Sequence, residues 1–189
     1  MFKHYLDISI SENSSVFAFD RILSQIHGFF KQNDYKFAID FPFYKKHVID
    51  KLTENGQTYH VNVRNLGDKI RIFSEKLNLC EFVATESFQK IQRVINPIVS
   101  GVKTVPESHG YVALFRQHKA DSHKKNRSGF ADSFPFFSYM KKENNSYTKV
   151  PLYIVREVKG SLEDTKNDSD SLNTFGLSTL TNKVFIPSF

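Results

Sequence analysis

The stretch that decides the fold is HYLDISI at residues 4–10, together with the amphipathic stretch at residues 16–31. In the first stretch Leu6, Ile8 and Ile10 alternate with more polar side chains, which predicts a strand with one apolar face. In the second, apolar residues recur every three or four positions, which predicts a helix that buries one side. The members of that side are Phe19, Ile22, Leu23, Ile26, Phe29 and Phe30.

Working outward, the same patterns predict a mixed α+β fold for the first half of the chain. Apolar runs predict further strands at 35–41, 69–73 and 98–105, a short extra strand at 58–63, and a second helix at 77–95. Apart from the extra strand, the order is strand, helix, strand, strand, helix, strand. This is the ferredoxin-like order, a two-layer sandwich shared with the RNA-recognition (RRM-like) modules.

The composition changes after Pro106. Extended apolar runs follow at 111–115, 134–140 and 150–155, and residues 160–171 form a polar stretch that predicts a loop. We therefore divide the chain into a ferredoxin-like domain at 1–106 and a mostly β domain at 107–189.

Composition limits the class of function. The 189 residues carry 26 Lys and Arg against 20 Asp and Glu, a net charge of +6, which favours a polyanionic partner. No apolar run approaches the roughly 18 residues of a membrane span, and the N-terminus does not resemble a signal peptide, so we expect a cytoplasmic protein. The single cysteine, Cys80, is expected to be a small buried residue. The seven histidines lack metal-ligand spacing, and no phosphate-loop, dinucleotide or nucleophile-elbow motif occurs, so we expect neither a metal nor a cofactor.

His27 is the first candidate for chemistry. On a helical wheel it lies at the edge of the apolar side, beside Leu23 and Phe30 and near Asp20, where an imidazole is held by packing and still reaches solvent. Periodicity alone favours a helix-edge histidine with no role. Gly28 follows it inside the helix, and the roughly 1 kcal/mol cost of a mid-helix glycine predicts a close approach by another backbone or by a ligand.

The second candidate is the basic segment at 116–127. Charge of this density neutralises phosphates, although a solvated basic face is an equally simple reading. Arg116 stands where the extended run meets the basic stretch, and an arginine held there can make a paired contact to O6 and N7 of a guanine. The other members of the segment are His118, Lys119, His123, Lys124, Lys125 and Arg127.

The third candidate is the C-terminal stretch. It reads Phe-Gly-Leu-Ser at 175–178 and Ile-Pro-Ser-Phe at 186–189. Gly176 within an extended run predicts a bulge or a close backbone contact.

Taken in order, these pieces resemble the CRISPR repeat endoribonuclease of type I-F systems, the Cas-six group, subtype F. The resemblance rests on His-Tyr-Leu-Asp-Ile at 4–8, the helix-one histidine, Phe-Pro at 41–42, and the C-terminal pair of motifs. It implies a ferredoxin-like N-terminal domain and a C-terminal domain with a short basic helix that binds an RNA stem. His27 matches the catalytic histidine and Arg116 the arginine that reads a guanine, whereas His118 replaces a glutamine that reads the neighbouring base.

The resemblance also implies which residues bind RNA. The stem-binding helix corresponds to Lys119, Lys124, Lys125 and Arg127, and His123 and Phe175 complete the expected RNA-binding set.

The chain departs from the family pattern at three places. Lys141, Lys142 and Glu143 stand where the family has a catalytic serine, and Ser138 or Ser146 is the substitute if the alignment slips. Phe175 replaces a tyrosine and lacks its hydroxyl. Residues 43–66 are longer than the family leads us to expect and have no assigned role.

By this resemblance, we expect a metal-independent endoribonuclease that cuts CRISPR repeat RNA at the base of a hairpin. The 2′-hydroxyl attacks the adjacent phosphate and leaves 2′,3′-cyclic phosphate and 5′-hydroxyl ends. His27 acts as general base or general acid, Lys141 or Lys142 stabilises the phosphorane, and Ser146 holds the 2′-hydroxyl. The enzyme stays on the mature crRNA with other Cas subunits in a type I-F surveillance complex. The alternatives are a non-catalytic RNA-hairpin-binding subunit and a protein-interaction module with a basic patch.

Overall fold

The computed structural model describes residues 2–11, 16–52, 56, 58–107, 110–116, 134–143, 146–159, 171–179 and 181–189. Its helices are α1 (Val16–Gln32), α2 (Lys76–Ala84) and α3 (Glu86–Ile95). Its strands are β1 (His4–Ser9), β2 (Ala38–Asp40), β3 (Lys45–Leu52), β4 (Thr58–Asn65), β5 (Lys69–Ser74), β6 (Ile98–Val99), β7 (Lys103–Thr104), β8 (Gly110–Arg116), β9 (Phe136–Glu143), β10 (Ser146–Lys159) and β11 (Ile186–Ser188). The fold is mixed, with helices and two main antiparallel sheets, as the patterns predicted.

The first sheet has the order β2-β5-β1-β6, with β7 also paired to β1, and its pairings are antiparallel. The central strand β1 buries Leu6 and Ile8, the apolar face that its alternation predicted. Helix α1 buries Ile22, Ile26 and Phe30, which join these strand residues in one core.

Aromatic rings fill much of this core. Phe30 lies 4.5 Å from Phe37, and Phe82 lies 4.6 Å from Phe88, measured between ring centroids. Full burial of one such side chain stabilises the fold by about 1.5–3 kcal/mol, so these rings explain much of why helix and sheet stay together.

The predicted single helix at 77–95 is wrong, because the chain forms two helices that meet at Thr85. Thr85 has an extended backbone conformation, and its hydroxyl accepts a hydrogen bond from the Phe88 amide at 3.3 Å. A threonine in this position caps a new helix, which competes with continuing the old one. The burial predicted for Cys80 is also wrong: its neighbours Leu79 and Phe82 face the core, and the thiol is exposed.

Residues 43–66, which had no assigned role, contain an antiparallel two-stranded ribbon. In it β3 pairs with β4 from Lys45 opposite Asn65 to Leu52 opposite Thr58, so the predicted extra strand at 58–63 is part of β4. None of the helices in the described part of the chain is both long and apolar enough to cross a membrane.

The second sheet has the order β11-β8-β10-β9 and is tied to the first by an ion pair. Arg156 on β10 binds both carboxylate oxygens of Asp40 on β2, at 2.9 and 3.2 Å. Because Asp40 is fully buried, removal of either partner leaves a buried unpaired charge, which is costly. The edge strand β9 lies along α1, so the helix that carries His27 contacts both halves of the chain.

Candidate active site around His27

His27 lies near the C-terminal end of α1 with a half-buried ring, as its place at the edge of the apolar side predicted. The ring stacks on Phe175, with 4.0 Å between ring centroids and 12° between ring planes. Its Nδ1 lies 2.5 Å from the carbonyl oxygen of Thr174. Two residues distant in sequence therefore fix both the plane and the rotation of the imidazole.

The segment that holds the ring is a tight turn at 173–178. The Asn173 side-chain oxygen accepts hydrogen bonds from the amides of Phe175 and Leu177, at 2.9 and 3.2 Å. The turn is also bound to the first sheet, since the Ile39 amide donates to the Gly176 carbonyl at 3.2 Å. These bonds place the Thr174 carbonyl and the Phe175 ring beside α1.

Gly176 is required in this turn for two reasons. Its φ is +68°, a backbone conformation that residues with a side chain rarely adopt. A Cβ at this position would also lie 2.8 Å from the Phe37 ring and 3.1 Å from the Ala38 Cα. The close backbone contact predicted from the sequence is confirmed.

The hydrogen bond to Thr174 determines which ring nitrogen is available. A carbonyl oxygen only accepts, so Nδ1 carries the proton, and Nε2 of the neutral ring is left with its lone pair. Burial lowers the pKa of His27 below its usual value, the nearby charge of Lys31 lowers it further, and the Thr174 hydrogen bond opposes both effects. The neutral imidazole is therefore the favoured form near pH 7.

The second sheet supports the other side of Phe175. The Tyr139 ring on β9 packs edge-on against Phe175 at 4.8 Å, and the Phe137 ring lies at 6.2 Å. Lys141 is exposed and lies on the same strand face as Tyr139, about 7 Å further along β9. Ser146, also exposed, begins β10 opposite Glu143, about 13 Å from Tyr139 along the hairpin.

The predicted site residues thus differ in how closely they approach His27. Phe175 contacts the imidazole directly. Lys141 and Ser146 lie near the end of the neighbouring β9–β10 hairpin. Lys142 also belongs to β9, although its side chain is not among the described parts of the structure.

Arg116 is half-buried at the end of β8. This strand adjoins the turn that holds His27: the Ser178 amide donates to the Leu114 carbonyl at 2.8 Å, and Phe115 forms a bridge with Ser178. The remaining members of the basic segment lie outside the described residues, namely His118, Lys119, His123, Lys124, Lys125 and Arg127.

Two features of the site depart from the expectations. The prediction that another backbone approaches Gly28 is wrong, because a Cβ built there meets no protein atom within 4 Å among the described residues. Thr174 was not predicted at all, and no sequence signal marks it, because its contribution comes from a main-chain carbonyl.

Asp20 was noted only as a neighbour of His27 on the helical wheel. In the structure its carboxylate accepts a hydrogen bond from the Ser138 amide at 2.7 Å and pairs with Lys149 at 2.9 Å. Helix α1 is thereby fastened to the β9–β10 hairpin two turns before His27.

A half-buried, oriented imidazole with one free nitrogen, on a chain with a large positive charge, is the kind of site that performs proton transfer on an anionic substrate. The fold and the site define the class as an α+β protein with a candidate histidine-centred acid–base site. A family comparison is more specific: the model described as CRISPR-associated protein (Cas_Csy4) matches residues 5–189, and the chain belongs to this family. It is the family of the type I-F CRISPR repeat-processing endoribonucleases. A comparison with curated proteins gives no match.

Proposed function

We propose that this chain cuts CRISPR repeat RNA at the base of a hairpin without a metal ion and then remains bound to the mature crRNA. Family membership supports the substrate class, and the oriented His27 imidazole supports the chemistry. The nucleophile is the ribose 2′-hydroxyl next to the scissile phosphate, which is already close to its target. Attack forms the 2′-O–P bond and breaks the P–O5′ bond. The leaving O5′ takes a proton from solvent water, so that the products are a 2′,3′-cyclic phosphate and a 5′-hydroxyl.

In this mechanism His27 acts as general base through Nε2. The lowered pKa keeps the ring neutral near pH 7, and the Thr174 carbonyl holds the Nδ1 tautomer that leaves Nε2 unprotonated. The same bond stabilises the imidazolium that forms when Nε2 takes the 2′-hydroxyl proton. A general-acid role instead requires the protonated ring, so its rate would fall as pH rises through the lowered pKa.

The β9–β10 hairpin supplies the remaining catalytic groups in this proposal. Lys141 lies on the face of β9 that supports Phe175, and an ammonium group there stabilises negative charge on the phosphorane. Lys142 is the second candidate for this role, and Ser146 the candidate for holding the 2′-hydroxyl.

RNA recognition is assigned to the second half of the chain. Arg116 reads a guanine at the stem base, and His118 reads the neighbouring base. The stem is bound by the basic residues Lys119, His123, Lys124, Lys125 and Arg127, and Phe175 contributes a ring beside the cut.

We infer that the N-terminal half is ferredoxin-like. Its element order and the antiparallel sheet order β2-β5-β1-β6 support this assignment. The division into domains at 1–106 and 107–189, a cytoplasmic location, and a place beside other Cas subunits in a type I-F surveillance complex belong to the same proposal.

The single observation that carries the proposal is the imidazole fixed between Thr174 and Phe175. Its test is His27→Ala, incubated with a repeat hairpin in EDTA beside the wild-type chain. We expect cleavage to fall by about 10²–10⁴-fold, since general base catalysis contributes on that order, while hairpin affinity stays within about twofold. Cleavage at the wild-type rate in this variant contradicts the proposal.

A second candidate function is a hairpin-binding subunit without catalysis. It is favoured by the lysines at 141 and 142 in place of a serine and by the missing hydroxyl at Phe175. The same experiment separates the two functions, because a wild-type chain that binds the hairpin without forming products is a binding subunit only.

A further inference from the structure

We propose that a groove between α1, α3 and the free edge of β9 binds the single-stranded RNA that continues beyond the hairpin stem, next to the scissile phosphate. This inference rests on the proposed function and adds a binding subsite to it. The groove has a volume of about 650 Å³, within the size range of ordinary ligand sites.

The groove adjoins the His27 site directly. Ser24 and Gln25, within one turn of His27 on α1, line one wall, and Tyr139 lines the opposite wall. Tyr139 also packs against Phe175, which stacks on His27. An RNA strand with its scissile phosphate at Nε2 of His27 can therefore reach this groove with the nucleotides next to the cut.

The wall formed by β9 presents one main-chain donor, the amide of Met140. In an antiparallel pair, amide groups alternate between the partner strand and the opposite side. The Ser138 amide points away from β10 and donates to Asp20, and the residue opposite Ser138 is Pro151, which has no amide hydrogen. Two residues further, the Met140 amide points to the same side, where the sheet order β11-β8-β10-β9 contains no further strand among the described residues.

The charges around the groove favour an anion. Its lining contains three cations, Arg21, Lys90 and Lys149, and one carboxylate, Asp20, which leaves a net charge of +2. The Lys90 ammonium pairs with Glu86 at 2.7 Å, but both side chains are largely exposed, so this pair is weak and Lys90 readily turns to a phosphate.

The remaining surface suits a base. Ile91, Tyr139 and Met140 supply apolar and aromatic contacts on the walls. Aromatic and apolar surfaces beside cations are how proteins bind single-stranded RNA with little sequence preference, through stacking and phosphate neutralisation together. The positive charge at the rim of the groove suits the phosphates of RNA better than a peptide. The occupant we assign is therefore RNA.

The test compares hairpins that differ only in a short single-stranded extension, at either end of the stem, and that carry a 2′-deoxyribose at the cut so that they bind without being cleaved. We expect one extension to tighten binding to the wild-type chain and to steepen its dependence on salt. In Arg21→Ala/Lys90→Ala, this gain should disappear, and the logarithmic salt slope should fall by about two, one for each cation removed.

The matched control is Lys76→Ala/Arg93→Ala, which removes two exposed cations of α2 and α3 that do not line the groove. We expect it to keep the gain from the extension. If neither extension affects wild-type binding, or if both double variants lose the gain equally, the groove is not an RNA subsite.

Cleavage of an unmodified hairpin in EDTA is measured in parallel. If the hairpin is cut but the extension has no effect on binding, the nuclease proposal stands and the RNA subsite in the groove is rejected. If the extension affects binding but the hairpin is not cut, the RNA subsite stands and the nuclease proposal is rejected.

Discussion

The two sides of the candidate active site are built in different ways. On the C-terminal side, the turn at 173–178 holds His27 by a hydrogen bond and a ring stack, and is itself bound to β2 and to the side chain of Asn173. On the β9–β10 side, Lys141 and Ser146 are exposed at the end of a hairpin. The imidazole is thus held by described contacts, whereas the groups proposed to contact the phosphate stand on an exposed part of a hairpin.

In the proposed mechanism, the two sides would therefore contribute to catalysis in different ways. A preoriented base loses little entropy on reaching the transition state, which is how fixed polar groups lower a barrier. Long exposed lysine side chains, in contrast, each lose roughly 1.5–2 kcal/mol of side-chain entropy when they are immobilised. The predictions below separate the two sides.

After His27→Ala, the largest effect is expected on the β9–β10 side. Lys141→Ala should lower the cleavage rate by about 10²–10³-fold, the usual cost of removing one group that stabilises charge in a transition state. Single-turnover rates with saturating hairpin measure this, beside Lys142→Ala as the matched neighbour. If Lys142→Ala is the slower variant, the assignments are exchanged, and if both cut normally, no lysine of this strand stabilises the phosphorane.

The next effect is expected at the turn. Gly176→Ala should lower the free energy of unfolding by about 1–2 kcal/mol from its positive φ alone, with a further loss from the contact with Phe37. Cleavage should fall as well, because Thr174 and Phe175 move away from His27. Gly101→Ala is the control, since a Cβ there meets no described atom within 4 Å. Denaturant unfolding measures the stability of both variants. Equal losses of the free energy of unfolding would contradict the role of Gly176.

A smaller effect is expected from Phe175→Leu, which keeps an apolar side chain but removes the stack on the imidazole. The rate should fall roughly tenfold, at the lower end of what loss of an orienting neighbour costs. The affinity for the hairpin should fall by less, because the ring would be only one of several RNA contacts. Phe175→Tyr should retain the rate. A large loss of affinity with a normal rate would mean that the ring serves RNA binding instead of orientation.

The smallest effect concerns the pH dependence. Because the pKa of His27 is lowered, a base mechanism predicts that the rate falls only as pH drops below the usual histidine value, and is level above it. Lys31 contributes to the lowering, so Lys31→Ala should raise the pKa and move this acid limb to higher pH. Rate–pH profiles of the two proteins measure the shift, and a shift to lower pH, or a rate that falls with rising pH, excludes His27 as the base.

Several parts of the site were predictable from sequence because they depend on local patterns. The place of His27 at the edge of the apolar side follows from the helical period. The close contact at Gly176 was predicted from a glycine in an extended run, although the chain forms a turn there. The break at Thr85 was missed although its signal, a capping residue, is present. Cys80 was misjudged because an apolar run in sequence wraps around a helix and includes its exposed side.

The contacts that orient the site were not predictable in this way. The Thr174 carbonyl is a group that every residue has, and its approach to Nδ1 joins positions 147 residues apart. The same holds for Asp20 with Ser138 and Lys149, which fasten α1 to the β9–β10 hairpin.

Most strands and helices, their apolar faces, the positive charge and the place of His27 at a helix edge follow from sequence, because each depends on the spacing and type of neighbouring residues. Contacts between distant parts of the chain decide which nitrogen of that histidine keeps its lone pair, which ring stacks on it, and which groove lies beside it. Those properties depend on distances between groups remote in the chain, and packing and hydrogen bonding set such distances only when the two sheets come together around α1.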